Sequence, residues 1–180
     1  MRPLTLFMAF TSALLSAAIF GFFYAWVCST MWGLDAADPG VAIAAMQAMN
    51  LSVRNIVFAP AFFGTPVALA ATALLLLRER RRQTAMVFGA AGAVYFCLAL
   101  LVTATANLPM NAALAIVEVP DATDAARQIW RDYSQPWQAW NLVRTIGSGI
   151  ALLLALAGLF LLGRDSASAP TGAIPSQTRS

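Results

Sequence analysis

Apolar residues gather into four long runs, at about 4–27, 56–77, 84–106 and 145–162, the last extended outward from position 136. Each approaches or exceeds the ~20 residues a helix needs to cross the hydrocarbon core of a bilayer. The first run passes through Ile19-Phe20-Gly21-Phe22-Phe23, so it reads as a spanning helix and not as the shorter core of a cleavable signal peptide. Between the first two runs, Asp38-Pro39 starts a helix, with the carboxylate capping it and the proline in its first turn. Gln47, Asn50 and Arg54 form a polar stripe on that helix, opposite Met46, Met49 and Val53, which predicts a segment lying in the interface with Gln47 on a solvated face.

Pro60, Gly64 and Pro66 loosen the start of the second run, and the carbonyls they free need partners from neighbouring helices. Gly89 and Gly92 suit close helix approach in the third. That run ends in Asn107-Leu108-Pro109-Met110-Asn111. Either the helix stops at the proline, or it continues and stacks Thr103, Asn107 and Asn111 on one face. Asp121 to Tyr133 reads as a short separate helix, and Pro136 as the first turn of the next. The expected fold is all-α: a four-transmembrane-helix bundle over residues 1–163, with short interfacial helices on the extracytoplasmic side and a disordered cytoplasmic tail at 164–180.

Composition sharpens this picture. Hydrophobic residues make up 60% of the 180 positions and charged residues 11%, far from the balance of a soluble domain. The cations are arginines, and five cluster outside the spans as Arg78, Arg80, Arg81, Arg82 and Arg164. With Arg2 and Arg179 they outnumber Arg54, Arg127, Arg131 and Arg144 on the other side, which places both termini in the cytoplasm and the chain in a bacterial inner membrane. The run at 78–82 is a topology signal, so no nucleic-acid partner is expected; the expected partners are membrane lipid and an apolar aromatic small molecule. Histidine is absent, which removes the commonest metal ligand and general base, and no metal or cofactor site is expected. Cys28 and Cys97 differ in height by roughly 13 Å along their helices, too far for a disulfide, and Cys97 is expected to be buried.

The densest chemistry lies in Trp130 to Arg144, which holds three of the five tryptophans. Trp137, Trp140, Asn141 and Arg144 fall at i, i+3, i+4 and i+7, with Trp130 and Tyr133 continuing the stripe. One reading is an anchoring belt of interfacial aromatics with a snorkelling arginine. The other is a binding site, favoured by Asn141, because an amide at membrane depth needs a hydrogen-bond partner. In the second reading Asn50, Asn107 and Asn111 converge on the same outer mouth, where a small bundle can hold a ligand.

MQAMN before the second span, NLPMN after the third, and W-x2-Y-x3-W-x2-WN-x2-R before the fourth resemble the anthrone oxygenase-like family of small four-span membrane proteins, over about Phe7 to Leu162. The resemblance implies a cofactor-free oxygenase acting on a polycyclic aromatic. Arg144 and Asn141 would then stabilise a developing oxyanion, with Asn50, Asn107, Asn111, Tyr133, Trp137 and Trp140 binding substrate. Asp132, Tyr133 or water would be the base. A non-catalytic protein binding a lipid, a quinone-like molecule or a partner protein is the alternative; a transporter is disfavoured because no charge lies deep in any span.

Overall fold

A computed structural model describes residues 2–167. Five helices account for most of them. α1 (Pro3–Ala36), α3 (Phe58–Arg78), α4 (Arg82–Ala115) and α5 (Thr123–Ala167) are long and apolar enough to cross a membrane, and α2 (Pro39–Ser52) is short. Among the described residues there is no strand, and the protein is an all-α integral membrane protein. The tail expected at 164–180 lies, from residue 168 on, outside the described residues.

Local chemistry sets the helix ends. Asp38 Oδ1 accepts from the backbone N–H groups of Gly40 (2.9 Å) and Val41 (3.3 Å), with Pro39 in the first turn of α2. Asn55 Oδ1 accepts from Val57 and Phe58, both at 2.9 Å, and so starts α3. Between α3 and α4, Arg80 takes a left-handed conformation at φ 60°, and Arg81 N–H bonds back to the Leu76 carbonyl at 2.9 Å.

Of the two readings open at Pro109 the helix takes the continuous one, and Pro136, read as the first turn of a new helix, is no boundary. α4 continues through Pro109 to Ala115, and α5 runs unbroken through Pro136, so Asp121–Tyr133 is no separate helix but the outer part of α5. Each proline forfeits one ladder bond, which neighbouring packing offsets. At about 1.5 Å per residue, the 42 residues of Thr123–Arg164 extend roughly 63 Å, twice the thickness of the hydrocarbon core. The excess carries the aromatic segment out of the bilayer.

The four long helices pack in a ring in the order α1, α3, α4, α5. Their outward faces are apolar, as at Phe7, Leu14, Val67, Met86 and Leu153, whereas small polar residues turn inward. Ser12 and Thr72 hydroxyls meet at 3.0 Å between α1 and α3. Pro66 leaves the Phe62 carbonyl without its helical donor, and the buried Tyr95 hydroxyl of α4 donates to it at 2.9 Å. Close approach of α4 and α5 occurs at Gly147 and Gly158, where a Cβ would stand 2.3 Å from Leu98 and 2.5 Å from Phe88. Gly89 has nothing within 4 Å of such a Cβ and Gly92 only an ordinary contact, so the glycines of the third run are not the contact points. Cys97, expected inside, is exposed on the outer surface of α4, and both cysteines are free.

A second core lies beyond this bundle. Met31 of α1, Ile43 and Met46 of α2, Leu114 of α4 and Ala126, Trp130, Tyr133 and Trp137 of α5 pack together. Gln47 is not solvated there: its amide donates to the carbonyls of Leu114 and Val117, both at 2.8 Å, pinning α2 to the end of α4.

Candidate functional site

Between the two cores, all five helices border a cavity of about 510 Å³. Helical geometry changes at this level. α1 widens into π-helical turns at Trp26–Thr30, and α4 does so at Phe96–Leu101 and Thr103–Asn107. Each widening rotates the following side chains relative to a regular helix, a distortion common at functional sites. It brings Thr103 and Asn107 toward α5, and Trp26 against Trp137 with ring centroids 5.1 Å apart.

The cavity wall is mainly apolar and rich in aromatics, with Phe22, Phe23 and Trp26 from α1, Phe58 and Phe62 from α3, and Trp137 from α5. Arg144 lies in it. Its residue is 6% exposed, and its guanidinium carbon sits 4.6 Å from the Phe23 ring centroid and 5.2 Å from that of Trp137. One terminal nitrogen donates to Asn141 Oδ1 at 2.8 Å and the other to Thr103 Oγ1 at 3.3 Å. These bonds use two of its five N–H donors, and the buried Nε has no partner.

Among the described residues no carboxylate forms an ion pair with Arg144. Two cation–π contacts contribute on the order of 1 kcal/mol each, against several kcal/mol for burying an ion. The site is thus electrostatically unbalanced, and an anionic oxygen in the cavity would restore the balance.

The asparagines divide by role. Asn111 and Asn50 border the cavity, and Asn111 Oδ1 accepts from the Tyr133 hydroxyl at 2.8 Å and from Trp137 Nε1 at 2.9 Å. Asn50 Nδ2 donates to the Tyr133 oxygen at 3.3 Å. Asn107 and Asn141 stand behind the wall, fully buried: Asn107 donates to the Trp137 carbonyl at 3.3 Å, and Asn141 to the Phe23 carbonyl at 3.2 Å while accepting from Arg144. Asn107 Oδ1 is buried without a partner. Tyr133 also lies behind the wall, connected to the cavity through Asn50 and Asn111.

Trp140 does not join this group. It is 44% exposed and does not border the cavity, because one residue of offset from Asn141 turns it about 100° around α5. With Trp32, exposed on α1, it has the placement of an interfacial anchor. Asp132 also faces outward and accepts from Gln128 at 2.9 Å.

Sequence reasoning passed over Asp35 and the aromatics of α1. Asp35 accepts from Trp130 Nε1 (2.9 Å), Ser134 Oγ (2.7 Å) and Gln138 Nε2 (2.9 Å), fastening the end of α1 to the outer half of α5. The 130, 134, 138 spacing of its donors was the available signal. Among the described residues no group of three His, Cys, Asp or Glu side chains is placed to hold a metal ion.

Neither curated proteins nor solved structures yield a match to the chain. A family model described as anthrone oxygenase matches residues 53–154, a shorter reach than Phe7–Leu162 that leaves α1 and the MQAMN motif outside but takes in α3, α4, and α5 as far as Arg144 and beyond. That match covers more than half of the sequence, and the chain belongs to the anthrone oxygenase family.

Proposed function

We propose that the protein is a cofactor-free oxygenase that converts a hydroxylated, anthrone-like aromatic into the corresponding quinone in the Arg144 cavity. The observation that carries this reading is the buried guanidinium, held by Asn141 and Thr103 with donors to spare and no carboxylate partner, in an aromatic-walled cavity. Phe23, Trp26 and Trp137 supply flat surfaces for a polycyclic ring. Asn50 and Asn111 orient its oxygen substituents, with Tyr133 fixing them from behind and Asn107 holding the Trp137 backbone.

Arg144 acts as an oxyanion site of low dielectric. As the substrate's ring CH₂ loses a proton, negative charge develops on its carbonyl oxygen, and the guanidinium stabilises that charge. Asp132 faces away and the Tyr133 hydroxyl is engaged as donor and acceptor, so water at the mouth takes the proton. The carbanion reduces dioxygen and forms a C–O bond to it, and the resulting hydroperoxide loses water to leave a second carbonyl. One O₂ is consumed and one water released per quinone. In this reading the chain sits in a bacterial inner membrane, with both termini cytoplasmic and the cavity at the outer face, among lipids and without a nucleic-acid partner.

The test is oxygen uptake and quinone formation from dithranol by the protein in phosphatidylcholine nanodiscs. The expected result is one O₂ per quinone at a rate well above autoxidation, with Arg144→Gln slower by on the order of a hundredfold. A rate no faster than autoxidation, or an Arg144→Gln rate equal to wild type, overturns it. Ligand binding without turnover would leave a non-catalytic protein that holds a lipid or quinone-like molecule.

A further inference from the structure

A second cavity, of about 470 Å³, adjoins the first. The two share Phe22, Trp26, Met49, Val53, Asn55 and Phe58, so these side chains form the partition between them, with the Phe22 and Phe58 ring centroids 4.9 Å apart. The second part reaches Ala18 on α1 and Ala61 on α3, neighbouring helices of the ring. Ala18 lies about 22 Å along α1 from its start, within the apolar span, and is exposed on the bundle's outer surface. Below it the same two helices close: Ser12 and Thr72 meet at 3.0 Å. Above it stand Leu51, Ile56 and Val57, each more than 70% exposed, a cluster of apolar residues at the α2–α3 link.

Polarity changes along this space. The inner cavity carries Arg54 and Arg144, whereas the second has no charged residue in its lining. Water-borne anions have no partner there. A neutral aromatic dissolved in the bilayer does, and from the second cavity the way to Arg144 passes the Phe22–Phe58 pair. We propose that the second cavity is a lateral portal, through which the uncharged ligand of the Arg144 site loads from the lipid between α1 and α3. This rests on the Arg144 cavity being the ligand site, and it makes small residues at Ala18 and the mobility of two phenyl rings determinants of access.

The test uses alizarin, a neutral dihydroxyanthraquinone at mildly acidic pH, and its sulfonated water-soluble analogue alizarin red S. Quenching of the cavity tryptophans is followed by stopped flow in phosphatidylcholine proteoliposomes of the full chain. Ala18→Phe and, independently, Val57→Phe narrow the portal without touching the inner cavity. Both are expected to slow alizarin association and dissociation together by roughly tenfold, leaving equilibrium affinity within about twofold. Alizarin red S is expected to associate more slowly than alizarin with wild type and to ignore both substitutions. Unchanged alizarin rates in both variants, or a sulfonated dye as fast as alizarin, overturn the portal. Wild type that binds alizarin but does not oxidise dithranol removes the proposed reaction and leaves the portal standing; wild type that binds no alizarin removes both.

Discussion

Arg144 shows how much, at the scale of single residues, a spacing conveys. Trp137, Asn141 and Arg144 at intervals of four and three predict a shared face, and that face does turn inward. Trp140 satisfies nearly the same interval and turns outward, because a stripe read from sequence is wider than the wedge a neighbouring helix covers. Whether Arg144 snorkels or enters the bundle depends on Phe23 and Thr103 from other helices, and Thr103 arrives through a π-helical turn that no residue pattern announces. Tyr133→Phe should remove one of two donors to Asn111 Oδ1 and cost about 1 kcal/mol, read as a lower thermal midpoint in detergent, while leaving Trp137 in place. At the opposite end, burial raises the Glu79 pKa, but bonds from the Thr5 hydroxyl and the Arg2 backbone N–H, with the Arg81 charge, more than offset it and hold the carboxyl below its usual value. A depressed folded pKa means stabilisation that is complete above the unfolded value and lost as pH falls through the folded one. Thermal midpoints should therefore decline on acidification through that range in wild type and do so less in Glu79→Gln; equal slopes would contradict the assignment.

Prolines decide the element scale, and the sequence misplaces the effect of Pro136 and leaves that of Pro109 open. Pro109 and Pro136 look like boundaries because each lacks an N–H, yet both stand in continuous helices that pack into the outer core nearby, through Leu114 on α4 and Tyr133 and Trp137 on α5. Pro66 is the case in which the general expectation holds and the particular partner was hidden: the freed Phe62 carbonyl takes the Tyr95 hydroxyl from α4. Tyr95→Phe should cost about 1–3 kcal/mol, since that carbonyl then has no donor at membrane depth. In a Pro66→Ala background the restored N–H serves the carbonyl, so the same substitution should cost at least about 1 kcal/mol less. Denaturation by dodecyl sulfate of the four variants completes the cycle, and strict additivity would rule out the shared carbonyl.

For the whole molecule, the four-span bundle is legible because the bilayer demands long apolar runs and little else. Which glycines bring helices together is not legible, since Gly89 and Gly147 look alike until α4 and α5 are docked. Gly147→Ala, whose Cβ would fall 2.3 Å from that of Leu98, should destabilise the bundle by about 1–3 kcal/mol and not be relieved by Leu98→Ala, which keeps the clashing Cβ. Gly89→Ala, with open space around it, should be neutral or slightly stabilising in the same unfolding assay. The cavity exists because α5 outruns the bilayer and α1, α2 and α4 gather around its outer half, leaving a cation in the seam between a lipid-facing bundle and an outer core. That cation is the centre of the account, and the absorption spectrum of bound alizarin against pH tests it most directly. Arg144 should hold the dye as its red-shifted phenolate roughly one to three pH units below the transition of the dye in protein-free lipid, with the difference abolished in Arg144→Gln. A bound dye that titrates identically in wild type and Arg144→Gln would contradict it.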